Sequence, residues 1–266
     1  MRPASAWAIL ALAGALACAQ AITPAPPLPT PSAPAGDTSE ALDSLLSRAD
    51  SLYAAREVAE VREAAGLWLQ AAKADPSSLD ALTGLARACV WLADHEPHEE
   101  GRREAAGRAV EAAQWCEQAA PRDPRCEYWM GAGLGVQARE RRATALDALP
   151  KIMQSFQRAQ AGDPDQDHAG PDRALALFFV RAPGWPAGPG DPDTGLEHAR
   201  AAVARDPEFA PNQMALAEAQ AATNDRAASG ETYRKALDLA RRAAAEGDPD
   251  AAEWIREIEE KLAAAR

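Results

Sequence analysis

Valine and isoleucine are scarce in this chain, and no stretch alternates apolar with polar residues over the length of a strand. That argues against a sheet-based core, since β-branched side chains are what a pleated surface packs best. Cations are in deficit as well, with 28 Lys plus Arg against 40 Asp plus Glu and a net charge of −12. An acidic surface of that size repels phosphate backbones and anionic headgroups, so nucleic-acid binding through a basic groove is not expected. Long apolar runs are missing: the single one, Ala6 to Ala17, is about 12 residues, where a bilayer span takes about 20. No serine stands in a nucleophile-elbow context, no Cys and His are paired by spacing, and no acid, base and nucleophile converge. The chain therefore reads as non-enzymatic and calls for no cofactor. What is abundant is alanine, the residue that lets helices approach closely.

The short apolar run is an export signal, residues 1–17, with Arg2 as its one cation. Ala15, Leu16 and Ala17 lead directly into Cys18, the arrangement a lipoprotein signal peptidase requires to acylate a thiol. Leu16 lies one place later than is usual for such a signal. Ordinary cleavage after Ala17 or Ala19, leaving a soluble periplasmic protein, is the open alternative. Residues 18–38 then form a proline-rich tether: Pro24, Pro26, Pro27, Pro29, Pro31 and Pro34 precede the first charge at Asp37. Such a segment extends at about 3.1 Å per residue and reaches about 55 Å. An acidic protein tied down in this way holds to the membrane by its acyl chain, not by charge. Residues 39–266 are the folded domain.

Internal repetition sets its class. Asp-Pro pairs begin at Asp75, Asp123, Asp163, Asp206 and Asp248. Proline stops one helix by lacking an N–H and presets φ for the next. Eight residues before four of these prolines stand Trp68, Cys116, Phe156 and Ala199; five before stand Ala71, Ala119, Ala159 and Ala202; twelve before stand Ala64, Ala112, Ile152 and Gly195. This small, bulky, Ala, Pro spacing resembles the second helix of a tetratricopeptide repeat. Trp129, Ala132, Gly133 and Val136 copy the spacing of the first helix. The fold expected is an all-α solenoid of about five helical hairpins, with a C-terminal capping helix carrying Trp254, Ile258 and Leu262. Its helices are predicted at 39–55, 57–74, 78–93, 99–119, 126–145, 147–161, 170–182, 193–205, 209–223, 226–246 and 249–265. The repeats exceed 34 residues, and the excess falls between paired helices, at Asp94 to Arg103, Arg139 to Ala148 and Pro183 to Pro192, where insertions leave helix faces in register.

Several short patterns invite chemistry and lose it on inspection. Gly131, Gly133 and Gly135 follow no strand, so they read as small residues for tight helix contact. Asp163, Asp165 and Asp167 begin like a calcium loop, but His168 and Ala174 stand where that loop needs Gly and Glu. His95 and His98 with Glu96, Glu99 and Glu100 are interrupted by Pro97 and read as a charged surface turn. With Cys18 acylated, Cys89, Cys116 and Cys126 remain. Cys89 and Cys116 hold core positions, and a Cys116–Cys126 disulfide across the inter-repeat turn stays open.

Gly170, Arg173, Ala174 and Leu175, then APGWP at Ala182 to Pro186, Gly190, Asp191, Asp206, Pro207, Pro211, Asn212 and Leu216 to Ala219 together resemble the T-component family of TRAP transporters. The resemblance is strongest from about Asp163 to Ala222. It implies a bacterial periplasmic lipoprotein built of modified tetratricopeptide repeats, a homotrimer, a periplasmic solute-binding protein as partner, and a pore or groove for an apolar small-molecule ligand in each protomer.

The candidate ligand- or partner-binding residues are Arg173, Phe178, Phe179, Trp185 and Trp129, with Cys18 as the lipidation site. The helix holding Phe178 and Phe179 is apolar nearly all round, so it is either buried by its neighbours or lines an apolar cavity. Trp185, between Gly184 and Pro186, is a lid folded on its own hairpin or an exposed anchor; flanking rigidity favours the lid. The function expected is a non-catalytic helical-repeat adaptor of a TRAP-type transport system. The alternative is a tetratricopeptide-repeat lipoprotein scaffold for another envelope assembly.

Overall fold

A computed structural model describes residues 23–28, 38–141, 143 and 145–264; the expected signal, Cys18 and the rest of the tether lie outside them. Among the described residues there are eleven α-helices: α1 (Thr38–Ala54), α2 (Val58–Ala74), α3 (Leu79–His95), α4 (Glu99–Ala119), α5 (Pro124–Glu140), α6 (Ala145–Gly162), α7 (Gln166–Arg181), α8 (Pro192–Arg205), α9 (Ala210–Ala222), α10 (Arg226–Glu246) and α11 (Ala251–Ala264). They pack as five antiparallel hairpins, α1–α2 to α9–α10, with α11 against α10. No described helix is long and apolar enough to cross a membrane. The boundaries lie close to those predicted. The widest difference is α5, which ends at Glu140, five residues before the expected 145.

The packing follows from alternating bulk and absence of bulk. Trp68 is buried on α2 because Gly84 of α3 leaves its indole room: a Cβ there would stand 2.5 Å from the ring. Phe156 of α6 uses Gly131 of α5 in the same way, at 2.6 Å, and Gly133 lets α5 approach the α4 backbone at Ala109 and Val110. Two of the three glycines in the G-x-G-x-G stretch are therefore contact glycines. The positions eight before the four prolines, Trp68, Cys116, Phe156 and Ala199, are all buried.

One repeat departs from the predicted register. Ala71, Ala159 and Ala202 are buried, but Ala119 is exposed. The reason is where the helices stop: α2, α6 and α8 run to the second residue before their proline, whereas α4 ends at Ala119, five before Pro124. The longer turn carries Arg122 at a positive φ of 69° and is bridged by a Cys116–Cys126 disulfide between two fully buried sulfurs. Cys89 is free and buried. In the last pair α10 has 21 residues where α8 has 14, the two-turn extension expected from the late Pro249, and Gly247 closes it in the left-handed conformation (φ 89°).

Two further features shape the molecule. First helices stack continuously from α3 to α5 and again from α7 to α9, while the backbones of α5 and α7 approach each other at few points. Between them Asp167, His168 and Ala169 form a left-handed turn, with φ of 50°, 56° and 61°. The array also curls until its ends meet. Arg56, just after α1, grips Asp250, just before α11, through Nε (2.7 Å) and Nη2 (3.0 Å) across 194 residues of sequence. His95 at the end of α3 meets Glu253 of α11 at 2.9 Å. The capping stripe behaves as predicted, with Ile258 fully buried and Trp254 edge-on to Phe209. Residues 23–28 have no regular secondary structure but lie on the body, where Ala25 and Leu28 pack against the core formed by α1 to α5.

Candidate ligand and partner-binding site

The α7–α8 hairpin is built around the left-handed turn within the first residues of α7. Three successive residues in that region are costly for side chains with a Cβ, so surrounding groups must hold them. Arg173 does most of this. Its Nη1 donates to the carbonyls of Asp167 (3.1 Å) and His168 (3.0 Å) and to Asn212 Oδ1 (3.0 Å), and its Nη2 pairs with the Asp167 carboxylate at 2.7 Å. Asn212, fully buried on α9, returns its amide to the His168 carbonyl at 2.9 Å. The Tyr128 hydroxyl donates to Asp167 Oδ2 at 2.6 Å; burial, followed by the Asp167 charge, pushes this phenol far above its ordinary range, so it remains a donor. Gly170 is required beneath it, since a Cβ would stand 2.6 Å from the Tyr128 oxygen. His168 stacks on Phe209 with centroids 4.3 Å apart. Gly170, Arg173 and Asn212 are thus residues of one structural clamp, and the hydrogen bonds of Arg173 are used inside the fold.

Phe178 and Phe179 are buried at 9% and 8% exposure. Neighbouring helices cover them, and Phe179 lies parallel to the His198 ring of α8. Below them is a residue that the sequence reading passed over. Asp172 is 1% exposed, and its carboxylate meets Gln160 Nε2 (2.5 Å), His198 Nδ1 (2.9 Å) and Arg205 Nε (3.5 Å). It ties α6, α7 and α8 together. The available signal was its spacing, three before Leu175 and seven before Phe179, on the apolar face of α7.

The turn that follows is closed by backbone. Gly190 N–H donates to the Pro183 carbonyl (2.8 Å) and Asp191 N–H to that of Phe179 (2.9 Å). Gly190 has no alternative, because a Cβ would stand 2.1 Å from the Ala182 oxygen. Asp191 caps α8 by accepting from Asp193 and Thr194. The Trp185–Pro186 peptide is cis. Trp185 stands at the apex with 91% exposure, so the lid expectation is corrected: the turn is closed by its own bond from Gly190 to Pro183 and pinned to α7 through Asp191, and the indole is left in solvent. Among the described residues Trp185 and Leu146 are the two exposed large apolar side chains, and each belongs to a predicted insertion.

Trp129 lies elsewhere, on the face formed by first helices. It lines a groove of about 290 Å³ with Leu46, Asp50, Trp68, Thr83 and Arg87. Arg87 covers both the Tyr53 and Trp68 rings, at 4.5 and 5.3 Å from their centroids. The five candidate residues therefore fall in four settings, a clamp, a core, a tip and a groove, and do not converge. The histidine cluster resolves as a turn: His95 Nδ1 contacts the Trp91 carbonyl at 2.7 Å, Glu96 is paired with Arg62, and no metal-binding group occurs among the described residues.

No protein-family model and no curated protein matches the chain. Solved structures do. TTC0263, a tetratricopeptide-repeat protein of Thermus thermophilus, superposes with a TM-score of 0.62 at 18% identity, over 84% of this chain and 98% of that one. The pilF protein of Pseudomonas aeruginosa gives 0.54 at 16% identity, over 85% and 91%. A double mutant of MamA from RS-1 gives 0.51 at 18% identity, over 78% and 97%. At such identities the likeness is one of fold, and it defines this chain as a tetratricopeptide-like α-solenoid.

Proposed function

We propose that this protein is a non-catalytic, membrane-tethered adaptor of a TRAP-type solute transport system, exported to the bacterial periplasm and acylated at Cys18. The tetratricopeptide-like fold supports the coarser half of this reading, a scaffold for protein interaction. The observation that carries the finer half is Trp185: the turn with the most distinctive sequence, APGWP, presents a nearly fully exposed tryptophan on a backbone fixed at both ends. An aromatic anchor held rigid before contact loses little entropy on docking. In this reading Trp185 meets a periplasmic solute-binding protein, and the groove beside Trp129 takes an apolar ligand. The Cys116–Cys126 disulfide is in keeping with an oxidising compartment.

The test is capture. The wild-type chain is expected to retain a solute-binding protein encoded beside a TRAP permease, and Trp185→Ala to lose it by at least about tenfold in affinity with an unchanged circular dichroism spectrum. Equal retention by both chains would overturn the role of Trp185. Native mass spectrometry of the same sample reads the apolar ligand and the homotrimer, and an empty monomer would remove both from the proposal. Cys18→Ala is expected to release the protein from membranes; retention of that variant, with no acyl mass on the wild type, would refute the anchor.

A further inference from the structure

Residues 23–28 are seated on α4 by two side chains that read only backbone. Gln114 grips them from both sides of one peptide unit and its neighbour: its Nε2 donates to the Thr23 carbonyl at 3.0 Å, and its Oε1 accepts from the Ala25 N–H. Trp115 Nε1 then donates to the Pro26 carbonyl at 2.7 Å. No side chain of the segment is specified by these bonds. What they engage is a backbone that presents a carbonyl at position 23, a free N–H at 25 and a carbonyl at 26. Prolines at 24, 26 and 27 leave Ala25 as the one N–H between Thr23 and Leu28, and that N–H is the one used.

The seat continues past the segment. Trp115 also lines a groove between α2 and α4, about 350 Å³, in which Leu69 and Leu85 share the lining with charged side chains, Arg108 and Glu111 among them. Leu69, Leu85 and Arg108 line a second hollow of about 250 Å³ farther along the same two helices, over Cys89 and Leu92. The backbones of second helices α2 and α4 stand apart, and Leu85 of α3 lies between them in both hollows. An aromatic N–H donor beside aliphatic side chains is the chemistry by which proline-rich strands are recognised, because a strand stiffened by proline enters with little entropy left to lose.

We propose that the Gln114–Trp115 seat and the α2–α4 groove form a binding site for an extended, proline-containing segment of a partner protein, filled in cis by residues 23–28. The site is on the second-helix side, distinct from the Trp129 groove and from Trp185. It does not rest on the transport reading.

The experiment uses the full chain and one variant in which Thr23 to Leu28 are replaced by a Gly-Ser tract of equal length. The probe is a synthetic peptide with the sequence of residues 21–30, and the readout is the Trp115 indole N–H resonance and its hydrogen exchange. In the wild type the indole proton is expected to be protected and unmoved by peptide. In the variant it exchanges freely until peptide is added, then shifts saturably at peptide concentrations below about 1 mM. Gln114→Leu in the variant background is expected to weaken that binding by about tenfold. No shift at about 1 mM in a folded variant would overturn the proposal, as would equal peptide binding by the wild type, or binding indifferent to Gln114→Leu.

Discussion

At the scale of the residue, this fold is held by places where a side chain is missing. Gly84 is the clearest, since the Trp68 ring occupies the volume its Cβ would need. Gly84→Ala is expected to cost about 1–3 kcal/mol, because the rigid indole has no free end that can move aside; urea unfolding followed by far-ultraviolet circular dichroism checks it. Gly135, with nothing within 4 Å of its Cβ position, is the control, and alanine there is expected to be neutral or stabilising by less than about 1 kcal/mol. Gly84 stands outside the spaced positions and its need appears only with the ring packed on it, whereas Trp68 was legible in the sequence because it obeys the repeat register. Asp172 was less so: its spacing was visible, but its partners Gln160, His198 and Arg205 lie on other helices, and no local period links them. The orientation of Trp185 was illegible for a related reason. Flanking prolines show that an indole is held rigid, not toward what, and the answer depends on backbone bonds from Gly190 to Pro183 and from Asp191 to Phe179 of α7.

Helices and turns carry the next set of consequences. The offset of α4 shows why Ala119 misled: its position was counted from Pro124, but a helix stops where its last carbonyls find partners, and the α4–α5 turn adds three residues before its proline. The disulfide spans that irregular turn, with its cysteines 10 apart in sequence. A loop of that size implies a stabilisation of about 2–3 kcal/mol through the unfolded chain. The Cys116→Ala, Cys126→Ala double variant is expected to melt lower by several degrees, and reduction of the wild type to reproduce most of the shift.

A second element-level expectation concerns acid. The hydrogen bond from Arg62 on α2 holds the Glu96 carboxyl, after α3, below its ordinary value. At Glu218 burial raises the carboxyl, but the Arg181 hydrogen bond and charge outweigh it and the net shift is downward. For a depressed carboxylate the stabilisation is complete above the unfolded value, about 4.3 for Glu, and is lost as pH falls through the folded value. Acid unfolding is therefore expected below about pH 4. Arg62→Met and Arg181→Met should each move its midpoint upward, as read by circular dichroism across a pH series.

For the whole molecule, the feature that no repeat pattern foretells is closure. Five hairpins and a cap follow from Asp-Pro spacing, but the pairing of Arg56 with Asp250 joins residues 194 apart that belong to no common period. Curvature accumulates from small rotations at every repeat, and a sequence register records the order of helices without their angles. Replacing Arg56 by Met strands a half-buried Asp250 and is expected to cost about 2 kcal/mol. Its sharper signature is shape: small-angle scattering should report a larger radius of gyration as the ends part. An unchanged radius would show that helix packing alone sets the curl.

The seated segment alters what the tether does. Counted as free chain, the residues after Cys18 give the domain about 55 Å of play above a membrane. With Thr23 fixed to Gln114, only residues 19–22 separate the proposed acyl anchor from the body, and their span cannot exceed about 18 Å. Were Cys18 acylated as proposed, so short a mooring would keep the α4 side of the solenoid toward the lipid and restrict the orientations open to the domain. A partner strand that took the seat would then let out the remaining line, and docking at one face would change the height and the tilt of the domain.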